Sequence, residues 1–250
     1  MGTTITAKGS LAPWNSVKES PVSRGLELWA EFDTDVSRFS FNKADGKAPM
    51  VVHGIPQAFP SHARFKGGLN FMQTDVTETP SMTILVLCKT AILPTTVAEG
   101  SMIVGGWKGP TVTPGFTGDA SANMYVQTAI ASVSASASRD NGSGGTTPGG
   151  GSVAGTPANQ WAWRAMRAAS GQPTLIDDLT AGTKNVGSNL ATRVTSANKL
   201  RVGSSFIPAD YLGECDVSCV MVFSEYLTDA ELQSLLKVGR IRGQRVGISA

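Results

Sequence analysis

The sequence predicts an all-β fold, a two-sheet antiparallel sandwich that ends with one short C-terminal helix. Apolar residues recur with a period of two in short runs, and clusters of Gly, Pro, Ser and Thr separate one run from the next. About ten such runs follow each other at the spacing of a sandwich. A single segment, "SEYLTDAELQSLL" over 224–236, carries a helix signature instead. A chain of 250 residues can bury a sizeable core, and one large all-β domain is the expected organisation.

Residues 1–24 hold Pro13 and Pro21 among small polar residues without a sustained period, which reads as an N-terminal extended arm. Leu11, Trp14, Val17 and Val22 give that arm something to bury against a partner. The sandwich domain is placed at 25–238 and a C-terminal tail at 239–250. "GLELWAEFD" sets Leu26, Leu28, Ala30 and Phe32 against Glu27, Trp29, Glu31 and Asp33, a half-buried strand. Turn residues surround a short run at 50–52, and "RFKGGLNFM" puts a Gly-Gly turn before another strand. "SMTILVLCKT" is apolar on both faces, as a central strand of a covered sheet would be. "SMIVGGW" and "ANMYVQTAIASVSASAS" are strands around the Gly/Pro-rich segment 109–119. Residues 139–160 are so poor in apolar groups that a long mobile excursion is expected there. "QWAWRAMRAASGQPTLIDDL" reads as strand, turn, strand, and "KLRVGSSF" and "YLGECDVSCVMVFSEYL" add two more. In the last of these, Cys215, Val217, Cys219, Met221 and Phe223 are expected on one inward face, with Glu214, Asp216 and Ser218 on the other.

The helix signature is local. Thr228 followed three residues later by Glu231 forms a capping box, and Leu227 is placed to staple the first turn. Ala230, Leu232, Leu235 and Leu236 supply an apolar stripe, Lys237 puts positive charge on the last turn, and Gly239 is the expected stop. A helix of about ten residues does not persist alone in water, so it needs a surface to dock on.

Composition excludes several classes. With 16% charged residues and a net charge of +2, no charge-driven affinity for nucleic acid or anionic membrane follows. Arg240, Arg242 and Arg245 read as a solvated strand or tail. The first residues lack a basic start followed by an apolar core, and no apolar stretch approaches a bilayer span, so synthesis in a cytoplasm without a signal peptide is expected. Cys215 and Cys219, four apart on one strand, have Cα atoms about 13 Å apart, beyond disulfide reach. Together with Cys88 they are expected as buried free thiols.

"GLELWAEFD", "GGLNFM" with "TPSMTILVLCK", "WAWRAMRAASGQPTLIDD" and "LRVGSSF" with "YLGECDVSCVMVFSEYLTDAELQSLL" carry a resemblance. In that order, over roughly residues 25–237, the chain resembles the laminin-G-like, concanavalin-A-like jelly-roll family. The resemblance implies a jelly-roll sandwich whose final helix lies against the sandwich edge. It also implies a scaffold that serves as lectin, enzyme, adhesion module or virion component. The first expectation is a non-enzymatic structural or attachment protein of a bacteriophage particle, a capsid decoration or tail component, located in the virion. Its expected partners are other virion proteins or copies of itself, with a cell-surface glycan as a further candidate. A carbohydrate-binding module is the alternative and a glycan hydrolase the second. No cofactor, metal, nucleic acid or membrane insertion is expected.

The glucanase-like branch of this fold sets carboxylates on one strand about 5 Å apart to face one glycosidic bond. The nearest run here, Glu31, Asp33 and Asp35, lies on the first strand and ends one position early for Glu-x-Asp-x-x-Glu, so no catalytic residue is assigned. His53 and His62 stand alone, and no Cys/His spacing suits zinc. Asp177 with Asp178, or Asp119 with Asn123, are calcium candidates that read better as turn residues. Sugar binding needs an aromatic face with a few amides and carboxylates. Trp107, Asp119, Asn123 and Tyr125, which flank the 109–119 loop, are the candidate ligand-binding residues. Trp161 and Trp163 share a face and are expected in the core.

Overall fold

The structure is a computed structural model and describes residues 17–127 and 131–250. In chain order, β1 (Leu26–Glu31) precedes β2 (Val51–His53), β3 (Gln57–Phe59) and β4 (His62–Lys66). β5 (Phe71–Thr77), β6 (Ser81–Thr90) and β7 (Ser101–Gly105) follow. β8 (Gly109–Pro110) and β9 (Asp119–Ala120) form a small separate hairpin. Next come β10 (Ala122–Val126), β11 (Ser134–Asp140) and β12 (Thr146–Ser152), then β13 (Ala162–Ala169), β14 (Gln172–Asp178) and β15 (Thr183–Val186). β16 (Lys199–Val202), β17 (Glu214–Phe223) and the helix α1 (Asp229–Arg245) complete the elements.

Two antiparallel sheets result. The first runs β15-β14-β13-β6-β17-β4-β3, with β1 also paired to β17, and the second runs β12-β11-β10-β7-β16-β5-β2. Inner-face residues of the first sheet (Leu28, Phe65, Ile84, Val86, Val220, Val222) meet those of the second (Met72, Ile103, Met124, Leu200, Val202) in one core. The all-β sandwich with a C-terminal helix is therefore the observed architecture. β6 shows why its sequence is apolar on both faces: Ile84 and Val86 fill the inter-sheet core, while Leu85 and Leu87 lie under α1.

The five apolar residues of β17 are all buried, but they do not share one face. A β-bulge between Val217 and Cys219 shifts the register against β6. The extra residue leaves Cys215 and Val217 facing the inter-sheet core and turns Cys219, Met221 and Phe223 toward the helix. All three cysteines are free and buried. Burial pushes the Cys215 thiol well up and the Cys219 thiol up to about 12.

The helix also departs from expectation at its end and in its seat. Its start is the capping box of Thr228 and Glu231, with Leu227 and Leu232 buried together as the staple. It continues past Gly239 to Arg245, because Gly239 faces the Trp163 ring, where any Cβ would overlap it. The stop is Gly247, at φ 79°: its N–H bonds Gln244 O, and Ile248 N–H bonds Gly243 O at 2.8 Å, a Schellman closure. Leu232, Leu235, Leu236 and Ile248 dock on Trp29, Trp163, Met221 and Phe223, so α1 covers a face of the first sheet and not the sandwich edge. Of the three arginines expected in a solvated tail, Arg242 reaches under the helix to Phe32 O at 2.8 Å and to Ser218 Oγ.

The excursion expected over 139–160 instead carries the end of β11 and all of β12, with loops at 141–145 and 153–160. Ser134–Asp140 pairs with Thr146–Ser152 residue for residue, and Val153 and Ala158 are buried. Apolar side chains were the wrong criterion, because an edge strand is held by its backbone ladder. Glycine also lets it pass close to its neighbours: a Cβ at Gly150 would run into the Ala135 carbonyl. Of the expected arm, residues 1–16, including Leu11 and Trp14, lie outside the described residues. Val22 is buried beneath the helix, and Lys18 pairs with Glu31 at 2.6 Å.

Candidate functional site

The outer face of the second sheet is the side that α1 leaves bare. Along β5, β16, β10 and β11, Met72, Leu200, Met124 and Ala135 point into the core, so strand alternation sends their neighbours outward. Gln73, Arg201, Gly105, Asn123 and Ser136 lie opposite one another in a single rung across five strands. Gly105 has no side chain to separate Arg201 from Asn123, and a Cβ there would meet Asn123 Oδ1.

Over this face stands an aromatic cluster. Trp107 and Tyr125 have ring centroids 6.5 Å apart, and Tyr211 packs edge-on against both, at 5.6 and 5.4 Å. Trp107 Nε1 donates to Asp210 Oδ2 at 2.9 Å, which ties the cluster to the 203–213 loop. That loop is itself pinned, since Ser205 Oγ donates to the carbonyls of Ile207 and Asp210. Lys108 (φ 52°) and Tyr211 (φ 59°) are, among the described residues, the non-glycine residues with positive φ. One adjoins Trp107 and the other adjoins Asp210, so backbone strain is concentrated where the rings are held. Burial raises the Tyr125 and Tyr211 hydroxyls, keeping both neutral across the physiological range.

The four sequence candidates part company here. Trp107 and Tyr125 come together as expected. Asn123 is fully buried; its Nδ2 donates to Ser121 Oγ at 2.8 Å, and its Oδ1 has no partner, so it lies beneath the site. Asp119 is exposed on the β8–β9 hairpin, and among the described residues no contact joins its side chain to the rings. Asp210 and Tyr211 complete the cluster and were missed, because they lie about a hundred residues downstream of Trp107 and meet it only through the sheet.

A second group lies beside it on the same rung. The Arg201 guanidinium packs over the rings of Phe71, at 4.5 Å, and Phe206, at 3.6 Å, and His53 stacks on Phe71 at 4.6 Å. Arg201 Nε donates to Gln73 Oε1 at 2.9 Å and Nη1 to Ser205 O at 2.8 Å.

The other carboxylates weighed as catalytic or calcium groups, apart from Asp119, are engaged internally. Glu31 pairs with Lys18 and Arg242; burial pushes its carboxyl up, but those cations outweigh it and hold the group below its ordinary value. Asp33 bonds Arg38 at 2.8 Å, and Asp35 caps the turn at Ser37. Asp177 holds Arg167 at 3.0 Å, and Asp178 accepts the N–H groups of Thr156, Thr180 and Ala181. On the first sheet Asp216, wholly buried, takes Arg64 through two bonds of 2.7 and 3.0 Å, with Lys89 at 3.6 Å and His62 Nε2 at 3.5 Å. His62, read as solitary in the sequence, is stacked on Phe59 and edge-on to Trp161. Among the described residues no three His, Cys, Asp or Glu side chains converge on a metal-sized site.

No family model matches the chain, and no curated protein matches its sequence. Its fold is similar to that of the botulinum neurotoxin serotype D binding domain, with a TM-score of 0.59 at 8% identity, over 88% of this chain and 52% of that one. It is similar to the binding domain of botulinum neurotoxin DC in complex with SialylT, at 0.56 and 10%, over 87% and 52%. A Trypanosoma rangeli sialidase mutant displaying trans-sialidase activity gives 0.54 and 12%, over 90% and 34%. The chain spans about half the length of the toxin domains and about a third of the sialidase. At such identities the likeness shows the fold, a lectin-like jelly-roll β-sandwich.

Proposed function

We propose that this chain is a non-enzymatic attachment protein of a bacteriophage particle, built on a lectin-like sandwich that takes a glycan on the outer face of its second sheet. The observation that carries the binding part is the Trp107–Tyr125–Tyr211 cluster, held by Asp210 on a strained loop and only partly buried. Flat rings beside a carboxylate are the chemistry that holds a sugar: C–H faces stack on the rings and hydroxyls bond the oxygens. Asp210 Oδ1 has no hydrogen-bond partner among the described residues and is available as such an acceptor. The neighbours named above include domains titled as binding domains, one of them in complex with SialylT, which favours recognition over structure alone.

Hydrolysis by a carboxylate pair is disfavoured because that route needs two carboxylates facing one bond, whereas Glu31, Asp33 and Asp35 are each committed to a cation or a cap. The particle assignment rests on the low charge, the Gly/Ser/Thr/Ala-rich loops and the apolar residues of the N-terminal arm.

A glycan array probed with the wild-type chain and with Trp107→Ala tests the binding part. Binding to a defined glycan set, lost in the variant while its thermal melt is retained, is expected. No binding by the wild type, or equal binding by the variant, would overturn it. Proteomic detection of the chain in purified particles tests the other part, and its absence there leaves a free carbohydrate-binding module.

A further inference from the structure

We infer that the ligand is an acidic saccharide, one bearing a sugar carboxylate, and that Arg201 is the residue that reads its charge. This inference rests on the glycan-binding reading above and names the ligand class. Arg201 has no Asp or Glu within ion-pair distance among the described residues, although Lys199, two positions away on the same strand, pairs with Asp75. Arg139 and Arg164 also lack a carboxylate among the described residues, but carbonyl and hydroxyl oxygens accept from both terminal nitrogens of each, which is not so for Arg201. Burial pushes this guanidinium's pKa down, so holding it charged costs free energy that no protein carboxylate returns.

Its placement is fixed on every side but one. The rings of Phe71 and Phe206 pack against the guanidinium, Gln73 Oε1 accepts from Nε, and Ser205 O accepts from Nη1. Among the described residues Nη2 has no hydrogen-bond partner, and Arg201 is only half-buried, so the guanidinium keeps a free donor edge. A planar donor packed on two rings and bonded at Nε and Nη1 has already lost rotamer freedom, and it suits a carboxylate better than a hydroxyl. The rung links the two groups. Arg201 and Asn123 flank Gly105 on adjacent strands, about 10 Å apart across two strand spacings, and Trp107 leaves the sheet two residues after Gly105. One sugar ring on the Trp107 cluster and a carboxylate on Arg201 are within the reach of a short oligosaccharide.

The experiment uses matched probes on the full chain: sialyl- and glucuronyl-terminated oligosaccharides and their methyl esters. The wild type is expected to bind the acids at least about tenfold more tightly than the esters, the range of a hydrogen bond to a charged group, with the preference shrinking as salt rises. Arg201→Gln should bring the acid-to-ester ratio close to one, Arg201→Lys should restore part of it, and thermal melts should show both variants folded. Trp107→Ala should lower acid and ester binding together. Equal binding of acid and ester by the wild type, or an unchanged ratio in Arg201→Gln, would assign Arg201 to packing alone and leave the glycan-binding reading standing. Binding of neither probe nor any neutral glycan would remove both.

Discussion

Arg193 and Glu78 have no side-chain exposure at all and meet at 3.1 Å. Burial raises the Glu78 carboxyl and lowers the Arg193 guanidinium, each toward its neutral form, and Ala122 N–H at 2.6 Å adds support to the carboxylate. Removing one partner strands the other in a water-poor interior. Arg193→Leu is therefore expected to cost about 3–5 kcal/mol in urea melts, and the double change Arg193→Leu with Glu78→Gln less than that single change. His62 gives a pH signature. Burial lowers its pKa from 6.5, although Asp216 pulls the other way. A depressed native value means that the unfolded chain binds the extra proton, so the contribution is intact above pH 6.5 and is lost as pH falls through the native value. Melts between pH 7 and pH 5 should show this slope in the wild type and a shallower one in His62→Phe. Neither group was legible in the sequence: Arg193 and Glu78 are 115 residues apart, and nothing in a lone His announces a ring stack. Trp107 and Tyr125 were legible because large aromatics bordering a Gly/Pro loop are poor core material, whereas Arg201 looked like any alternating strand cation.

At the scale of elements, the strands and the helix start follow from local chemistry, while the helix end and the β17 bulge arise from contacts with distant chain. The capping box needs only Thr228 and Glu231, so it could be read; the helix end depends on Trp163, which lies on another strand. The β17 bulge is likewise invisible in an unbroken apolar run, because either face of the strand is buried. A substitution separates local propensity from packing. Ala is a better helix former than Gly by about 1 kcal/mol, so Gly239→Ala would stabilise a free helix. Here its methyl would overlap the Trp163 ring, and a net loss of about 1–3 kcal/mol is expected. Thr228→Ala should cost about 1 kcal/mol through the cap alone. Chemical denaturation of the two variants checks both, and a stabilised Gly239→Ala would mean that the helix does not rest on Trp163.

For the whole molecule, the question is which chain segments the sandwich needs and which serve a partner. Residues 17–24 are tied down: Lys18 N–H bonds Lys43 O, Val22 is buried, and Arg24 pairs with Glu225 and Glu231 at 2.8 and 3.1 Å. The segment before them, outside the described residues, carries the apolar Leu11 and Trp14. For a segment that serves a partner, deleting residues 1–16 is expected to leave the thermal midpoint within about a degree or two and to lower self-association or particle incorporation on sizing. Deleting 1–24 should also lower the midpoint, because it removes Val22 from beneath the helix. Excising 141–155 should do worse than either: it strips β12 from β11, bares the backbone of an interior strand, and invites edge-to-edge pairing. Light scattering and melts on the three deletions decide the matter. If removal of 1–16 unfolds the chain, that segment is part of the sandwich; if it leaves both stability and assembly unchanged, the particle reading loses the arm as its support and the glycan-binding face stands alone.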